Sequence, residues 1–317
     1  MKGLELARSY WEAFGREMLD RDFPDLKEKI AVGLCGSGSE VLGYDDSVSR
    51  DHDFEPGFCL FLPGEDVVDR REAFQLERAY AKLPQEFMGF SRARMSPVGG
   101  NRHGVLRLAD FLREKTGTPD GSLSARQWLS VPEQNLLEIT RGEIWLDASG
   151  FFTAIRQTLS RFPEDIRLRK LSGELLIMNQ SGQYNFRRCL DHGETASAML
   201  AVHEFVHAAL HALHLLEAAY LPYYKWAFRS IRAFSQDRIS QANRLESLLF
   251  GGADADALED RELVMADLCQ DLAEELQDRG LSDASCCDLE QHAYSVADHI
   301  QDPEIRNMHI LSGVKNA

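Results

Sequence analysis

The chain has 317 residues, with 35 Lys and Arg against 51 Asp and Glu, and its formal net charge at pH 7 is −16. This acidic balance argues against a general nucleic-acid binder, because neutralising a phosphate backbone requires a surplus of basic surface. With 44% hydrophobic and 27% charged residues, the composition is that of a globular protein and excludes disordered and collagen-like classes. The length favours about two domains.

The sequence gives no sign of export or of a membrane anchor. No apolar run approaches the roughly 20 residues that cross a bilayer, and the first residues form an amphipathic, acidic segment unlike a signal peptide. We therefore expect a cytoplasmic protein without a membrane partner. Its six cysteines show no Cys-x-x-Cys spacing, so we interpret them as reduced thiols and not as a zinc or redox site.

Helix and strand patterns alternate in the first half of the chain. Apolar residues at helical spacing predict a helix over residues 4–21, and Ile30–Cys35 is a short apolar run typical of a buried strand. The apolar run Gly57–Leu62 predicts a second strand, which either starts near Asp51 or lies just after it. Further on, the patterns predict helices at 66–83 and 109–116, strands at 87–95, 104–109 and 142–147, and a helix ending near Arg161.

The second half of the chain reads as helical. After about residue 175 the strand signals stop, and long amphipathic stretches follow at 181–219, 222–250, 259–279 and 284–312. The predicted fold class is therefore α/β (α+β), with a mixed sheet and helices followed by a C-terminal helical bundle. We expect the two domains to cover residues 1–175 and 176–317.

A glycine-serine loop followed by two aspartates is the most informative pattern. The loop consists of Gly36, Ser37, Gly38 and Ser39, and it follows the first predicted strand. Glycines let a backbone approach phosphate oxygens closely, and serine hydroxyls can donate hydrogen bonds to them. In an extended strand Asp51 and Asp53 would point to the same side and could share Mg²⁺ ions. The alternative is an ordinary strand-to-helix turn followed by a solvated acidic loop.

These residues resemble a known superfamily. Gly38-Ser39 followed by Asp51-His52-Asp53 is similar to the Gly-Ser…Asp-x-Asp signature shared by polymerase beta and kanamycin nucleotidyltransferase. The longer string GLCGSGSEVLGYDDSVSRDHDFEPGFCLFL, with GQYNFRR and YLPYYKWAFR, resembles a bacterial branch of that superfamily classed as a domain of unknown function. The resemblance implies a nucleotidyltransferase-type domain followed by a helical domain like the C-terminal half of the aminoglycoside enzymes.

The resemblance also implies roles for individual residues. Ser39, with Ser37, would hold the terminal phosphates of a nucleoside triphosphate, and Asp51 and Asp53 would hold two Mg²⁺ ions. The superfamily has a third carboxylate on a neighbouring strand, and here the sequence departs from the pattern. Asp110 is the first candidate for this catalytic position and Asp147 is the second.

A competing motif lies in the helical half. His203-Glu204-Phe205-Val206-His207 matches H-E-x-x-H, in which two histidines on one helix face bind zinc and the glutamate activates water. Glu217 and His292 are conceivable third ligands. On a helical wheel His203, His207, His211 and His214 form a stripe beside an apolar one. The alternative is that this stripe borders the bundle core or lines a cleft that contacts a substrate.

Aromatic and basic residues cluster over Tyr220–Arg229. Aromatic rings beside cations can stack on a base and meet phosphate, so Lys225 is a candidate nucleotide-binding residue. The alternative is a helix-helix seam whose polar tips reach water. Other candidate phosphate partners are the dense cations of this acidic chain, namely Arg167, Arg169, Lys170, Arg187 and Arg188.

These observations favour a Mg²⁺-dependent nucleotidyltransferase that moves a nucleoside monophosphate from a nucleoside triphosphate to an acceptor, with release of pyrophosphate. The net charge makes a small molecule a better acceptor than nucleic acid, and a protein side chain is also compatible. One alternative is a catalytically degenerate module that binds nucleotide or a partner protein, like an antitoxin. Another is a zinc hydrolase that uses His203, Glu204 and His207.

Overall fold

The chain consists of two compact units. We describe it from a computed structural model, which covers residues 1–48, 54–92, 102–252 and 254–314. The first unit comprises Met1–Ser124 and Val131–Ser160, and the second comprises Ala125–Ser130 and Arg161–Ala317. The boundary predicted at residue 175 falls inside a helix, Glu164–Met178, which lies wholly in the second unit.

A four-stranded mixed sheet forms the centre of the first unit. The strands of the chain are β1 (Ala31–Leu34), β2 (Cys59–Leu62), β3 (Glu86–Phe87), β4 (Phe90–Ser91), β5 (Gly104–Arg107) and β6 (Glu143–Asp147). The sheet order is β5-β2-β1-β6, and β3 and β4 form a separate hairpin. Strand β1 runs antiparallel to β2 and β6, whereas β2 and β5 are parallel. The predicted mixed sheet is confirmed. Of the predicted strand 87–95, the described residues 87–92 belong to the hairpin region, and residues 93–95 lie outside the described residues.

Helices surround this sheet. The helices in the first half of the chain are α1 (Gly3–Tyr10), α2 (Arg16–Asp22), α3 (Ser39–Leu42), α4 (Arg70–Ala81), α5 (Leu108–Thr116), α6 (Ala125–Ser130, in the second unit), α7 (Glu133–Thr140) and α8 (Phe151–Thr158). A π-helical turn at Trp11–Gly15 joins α1 to α2, so the predicted helix over 4–21 is confirmed. Helices α6 and α7 were not predicted.

Aromatic packing joins the first helix to the sheet. Tyr10, Trp11 and Phe58 are fully or almost fully buried, and the ring centroids of Trp11 and Phe58 lie 5.2 Å apart. A Cβ atom on Gly15 would lie 2.5 Å from the Phe58 ring. Glycine at this position therefore lets the chain approach the sheet closely, and burial of these rings contributes to the hydrophobic stabilisation of the unit.

The second unit is entirely helical over its described residues. Its remaining helices are α9 (Glu164–Met178), α10 (Phe186–Asp191), α11 (Thr195–Leu216), α12 (Tyr224–Ile231), α13 (Gln236–Leu248), α14 (Ala255–Asp278), α15 (Leu289–Asp298) and α16 (Pro303–Arg306). Helix α9 is the central element and packs against α11 and α15. Its own charges mask the apolar pattern: Glu174 is buried and its Oε1 lies 2.7 Å from Nδ1 of His211.

The long helices predicted here are divided by short breaks. The stretch 181–219 contains α10 and α11, separated at Gly193, whose φ of +73° ends a helix readily. The stretch 222–250 contains α12 and α13, and Ser235 caps α13 by accepting a hydrogen bond from the Arg238 amide. The predicted helical class of this half is confirmed.

Helix α11 is long and apolar enough to cross a bilayer by length and composition. It is the sole described helix that meets this test, and 72% of its apolar window is buried within the protein. The core helix of a soluble fold has the same properties. The helix also carries four histidines and a glutamate, so we interpret it as a core helix.

Candidate functional site

The glycine-serine loop leaves the central strand of the sheet. It connects β1 to the short helix α3, and both of its glycines have positive φ values, +108° at Gly36 and +145° at Gly38. Residues with side chains rarely adopt these conformations. The predicted strand followed by a glycine-dependent loop is confirmed.

Helix α7 holds the first half of this loop. The Gly36 amide donates to the main-chain carbonyl of Glu138 at 2.8 Å, and the Ser37 hydroxyl lies 2.9 Å from Oε2 of the same glutamate. Glu138 is buried, and Lys115 Nζ lies 2.7 Å from its Oε2. The Ser37 hydroxyl is therefore engaged with Glu138, and its expected contact with phosphate stays a prediction.

Arg102 holds the second half of the loop. Its Nη2 donates to the Ser37 carbonyl at 2.6 Å and to Glu40 Oε1 at 2.7 Å, and its Nε reaches the same carbonyl at 3.2 Å. A Cβ atom on Gly38 would lie 2.3 Å from Nη2 and 2.3 Å from Glu40 Oε1. The absence of a side chain at Gly38 thus leaves the space that the ion pair occupies.

The attraction between Arg102 and Glu40 compensates only part of the cost of burying the Glu40 carboxylate. Burial raises the pKa of Glu40, and the positive charge of Arg102 offsets this effect in part. The exposed fractions of the two side chains are 12% for Glu40 and 23% for Arg102. Removing such charges from water is costly unless they are fully paired. Loss of either partner should therefore destabilise the loop.

Ser39 differs from Ser37 in its surroundings. It is the first residue of α3 and is partly buried. Its hydroxyl makes no hydrogen bond to any residue that the structure describes, whereas the Ser37 hydroxyl is bound to Glu138. Of the two serines, Ser39 is thus the one whose hydroxyl is available to a ligand.

The two aspartates predicted to bind metal, Asp51 and Asp53, lie outside the described residues. Residues 54–58 form no strand, and β2 begins at Cys59. Their shared face therefore stays a prediction. Within the described parts of the chain, no group of three or more His, Cys, Asp or Glu side chains could hold a metal ion.

Neither candidate for the third carboxylate lies at the loop end of the sheet. The loop follows Leu34, which pairs with Glu143, whereas Asp147 pairs with Ala31 at the opposite end of β1. Its Oδ2 accepts hydrogen bonds from the amide and hydroxyl of Thr153.

Asp110 lies at that opposite end as well. Strand β5 is parallel to β2 and therefore antiparallel in direction to β1, so the residues after Arg107 leave the sheet away from the loop. Asp110 is 71% exposed in its side chain and pairs with Arg113 at 2.7 Å. The geometry thus supports neither Asp110 nor Asp147 as a partner of the loop.

Three residues at the loop were missed in the sequence: Glu40, Arg102 and Glu138. Glu40 directly follows the motif, and its charge beside Ser39 is the one signal that was available. The other two could not be placed, because Arg102 depends on the parallel pairing of β5 with β2 and Glu138 belongs to a helix that was not predicted.

The histidine motif lies on helix α11 as predicted, but its stripe is divided. His203 and His207 are exposed, whereas His211 and His214 are buried. Nε2 of His214 lies 3.0 Å from the Ser230 hydroxyl, and Nδ1 lies 2.7 Å from the Leu210 carbonyl. The C-terminal half of the stripe, His211 and His214, is therefore part of the core.

The conceivable third zinc ligands are engaged elsewhere. Glu217 Oε1 lies 2.7 Å from Arg238 Nη2 and 3.2 Å from Arg279 Nη2. Both ring nitrogens of His292 are within hydrogen-bond distance of oxygen atoms, those of the Ser282 hydroxyl and the Cys286 carbonyl. These contacts do not support a zinc site on the described part of α11.

The aromatic segment presents a mixed surface. Tyr223 and Tyr224 are 51% and 75% exposed, and their ring centroids lie 4.1 Å apart. Lys225 Nζ lies 4.9 Å from the Trp226 ring centroid, within the range of a cation–π contact. Tyr220 is buried and packs edge-on against Phe162. The segment therefore combines a helix seam with exposed rings.

Several cations predicted to meet phosphate are used within the second unit. Arg169 is buried, and its Nη2 donates to the Arg306 carbonyl at 2.8 Å. Lys170 is buried too, with its Nζ 3.2 Å from the Gly313 carbonyl. The remaining three have local partners: Arg167 pairs with Glu164, Arg187 with Glu262, and Arg188 with the Tyr184 hydroxyl. All five cations therefore have partners within the unit.

The family model "Domain of unknown function (DUF4037)" matches residues 128–227, which lie in both units. No curated protein matches the sequence. The solved structure of a nucleotidyltransferase-like protein from Exiguobacterium sibiricum 255-15 is similar over 90% of each chain, with 14% identity and a TM-score of 0.39. A likeness at that level carries no argument about function, which has to rest on the residues of the loop.

Proposed function

We propose that this protein is a Mg²⁺-dependent nucleotidyltransferase that transfers a nucleoside monophosphate from a nucleoside triphosphate to a small-molecule acceptor. The observation that carries the proposal is the state of the glycine-serine loop. Glu138 and Arg102 hold the loop at the end of β1, and the Ser39 hydroxyl is left without a partner among the described residues. A loop fixed in this way is prepared to receive phosphate oxygens without a further ordering cost.

The residues would divide the work of the transfer. Ser39 and the backbone beside Gly38 would bind the terminal phosphates and so orient the α-phosphorus for in-line attack. The acceptor oxygen would form a bond to this phosphorus while the bond to pyrophosphate breaks, and the acceptor's proton would pass to a base that we leave unassigned. Mg²⁺ ions held by Asp51 and Asp53 would neutralise the charge of the phosphates.

A nucleotide-binding module without transfer activity is the second candidate. The observation that favours it is the location of Asp110 and Asp147, both at the end of the sheet opposite the loop. Loss of the third carboxylate would leave binding intact and remove the base. A transfer assay with labelled triphosphate and released pyrophosphate as the readout separates the two candidates.

Two serine variants test the role of the loop. We expect Ser39→Ala to weaken triphosphate binding in Mg²⁺ by about 10-fold or more, since a hydrogen bond to a charged group contributes roughly 1.5–3 kcal/mol. Ser37→Ala is the matched control, and we expect it to lower thermal stability more than affinity, because its partner is Glu138. Isothermal titration calorimetry with each of the four triphosphates gives the affinities. Equal affinity of Ser39→Ala and the wild type would overturn the proposed role.

A further inference from the structure

We propose that Arg102 is the triphosphate-binding cation of this site and that Glu40 holds its guanidinium beside the loop until the nucleotide arrives. This inference rests on the proposed nucleotidyltransferase function and deepens it. It assigns recognition of the phosphate chain to a residue far from the glycine-serine motif in the sequence.

The main chain of Arg102 is fixed to the sheet. Its carbonyl accepts a hydrogen bond from Cys59 Sγ at 3.2 Å, at the first residue of β2. Two residues further on, the Gly104 amide donates to the Phe58 carbonyl at 2.9 Å. The side chain of Arg102 therefore starts from a rigid point beside the central strands.

From that point the guanidinium spans the loop. It contacts the Ser37 carbonyl through Nε and Nη2, and it lies against the Cα atom of Gly38, where a Cβ atom would be 2.3 Å away. A phosphate bound to the loop backbone would thus meet this positive charge directly. Planar guanidinium groups bind phosphate with two parallel hydrogen bonds, which adds geometric specificity to the charge.

Arg102 and Lys115 both lie beside the loop and pair with different carboxylates. Lys115 lies 2.7 Å from Glu138 and 3.0 Å from Glu114, so two carboxylates share its charge. Arg102 has a carboxylate partner in Glu40, whose pKa is raised because its burial outweighs the attraction of the guanidinium. A triphosphate carries more negative charge than the Glu40 carboxylate, and a phosphate group at the loop can therefore compete with Glu40 for the guanidinium.

The test compares the affinity for a nucleoside triphosphate with the affinity for the corresponding nucleoside, which has no phosphate. We expect Arg102→Ala to lower the affinity for the best-bound triphosphate by about 10- to 100-fold, the loss typical of one charged hydrogen-bonded contact. Affinity for the corresponding nucleoside should stay within twofold of the wild type. Arg102→Lys should restore part of the triphosphate affinity, because it keeps the charge but not the planar fork.

Arg70→Ala is the matched control, since Arg70 is 85% exposed in its side chain and pairs with Glu65 on the surface. It should bind triphosphate and nucleoside like the wild type. Calorimetry at two salt concentrations measures both ligands, and thermal unfolding checks that each variant folds. Should Arg102→Ala fail to fold, Arg102→Lys decides the matter by the same ratio of triphosphate to nucleoside affinity.

Two results would overturn the inference while leaving the proposed function standing. One is an unchanged triphosphate affinity in the folded Arg102 variants. The other is an equal loss of triphosphate and nucleoside affinity, which would indicate that Arg102 only supports the loop. Failure of the wild type to bind any triphosphate would instead overturn the proposed function, and this inference with it.

Discussion

Two glycines on either side of α3 differ in what surrounds them. Gly38 has a φ of +145° and its missing Cβ would collide with Arg102 and Glu40, whereas Gly43 has a φ of +76° and open space around it. Both positions strain a residue that has a side chain, but only Gly38 also makes room for the ion pair. Substitution of either glycine should therefore strain the backbone, but only substitution of Gly38 should also disturb the Arg102–Glu40 ion pair.

We expect Gly38→Ala to abolish triphosphate binding and to lower the free energy of unfolding by about 1–3 kcal/mol from backbone strain alone. Gly43→Ala should cost about 1–2 kcal/mol for its left-handed conformation and leave triphosphate affinity unchanged. Urea denaturation and calorimetry measure the two quantities. Triphosphate binding by Gly38→Ala as tight as that of Gly43→Ala would contradict the close approach at Gly38.

For individual residues of the loop, the sequence indicates the backbone conformation but not the side-chain contacts. The glycines and serines follow a buried apolar run, and that local pattern was sufficient to predict a strand followed by a glycine-dependent loop. The different fates of Ser37 and Ser39 were not predictable, because the partner of Ser37 is Glu138, 101 residues away. Contacts of that range depend on tertiary packing and leave no local signal.

At the scale of elements, a buried ion-pair network ties three segments of the second unit together. Arg238 on α13 is 3% exposed in its side chain and lies 2.7 Å from Glu217 and 2.5 Å from Glu275. Burial raises the pKa of Glu275, but hydrogen bonds and charge from Arg238 and Arg279 outweigh this, so the pKa is lowered. The network therefore contributes to the stability of the folded state at neutral pH.

We expect Arg238→Met to lower the free energy of unfolding by about 3 kcal/mol at pH 7, because it leaves two partly buried carboxylates with less compensation. Since the pKa of Glu275 is lowered in the folded state, its contribution is present above the unfolded pKa of roughly 4.3. The contribution is lost as the pH falls through the folded value. The difference between wild type and variant should accordingly shrink in acid.

Arg232→Ala is the control for this network. Its side chain is 30% exposed and pairs with Glu246, and we expect a cost of about 1 kcal/mol or less. Denaturant unfolding across pH 3–7 provides the measurement. A cost for Arg238→Met that matches the cost for Arg232→Ala, or that grows in acid, would show that the network is not stabilising.

Helices and strands were predictable from the sequence where one face of a segment is apolar. They were not predictable where buried charged residues interrupt the apolar pattern. The helix over 4–21 and the strands of the sheet have clear patterns, and the structure confirms them. Helix α9 was missed because its buried residues include Arg169, Lys170 and Glu174, which hide the apolar period. Tertiary partners such as His211 compensate these charges, and no local window contains them.

At the scale of the whole molecule, the fold class follows from the order of patterns along the chain. Alternating strands and helices followed by helices alone predict a sheet-containing part and a helical part, and the structure has both. The division near residue 160 was not predictable from sequence, because α6 belongs to the second unit although residues on both sides of it belong to the first. The third carboxylate could not be positioned from sequence for a related reason, since its position depends on strand direction.

The proposed function requires the loop and the two aspartates to form one Mg²⁺-dependent nucleotide site. The most direct measurement is binding of each of the four triphosphates, with and without Mg²⁺, to the wild type and to the double variant Asp51→Asn/Asp53→Asn. We predict that the wild type binds at least one triphosphate only in the presence of Mg²⁺ and that the variant loses this binding. Absence of triphosphate binding to the wild type, or equal binding to both proteins, would contradict the claim.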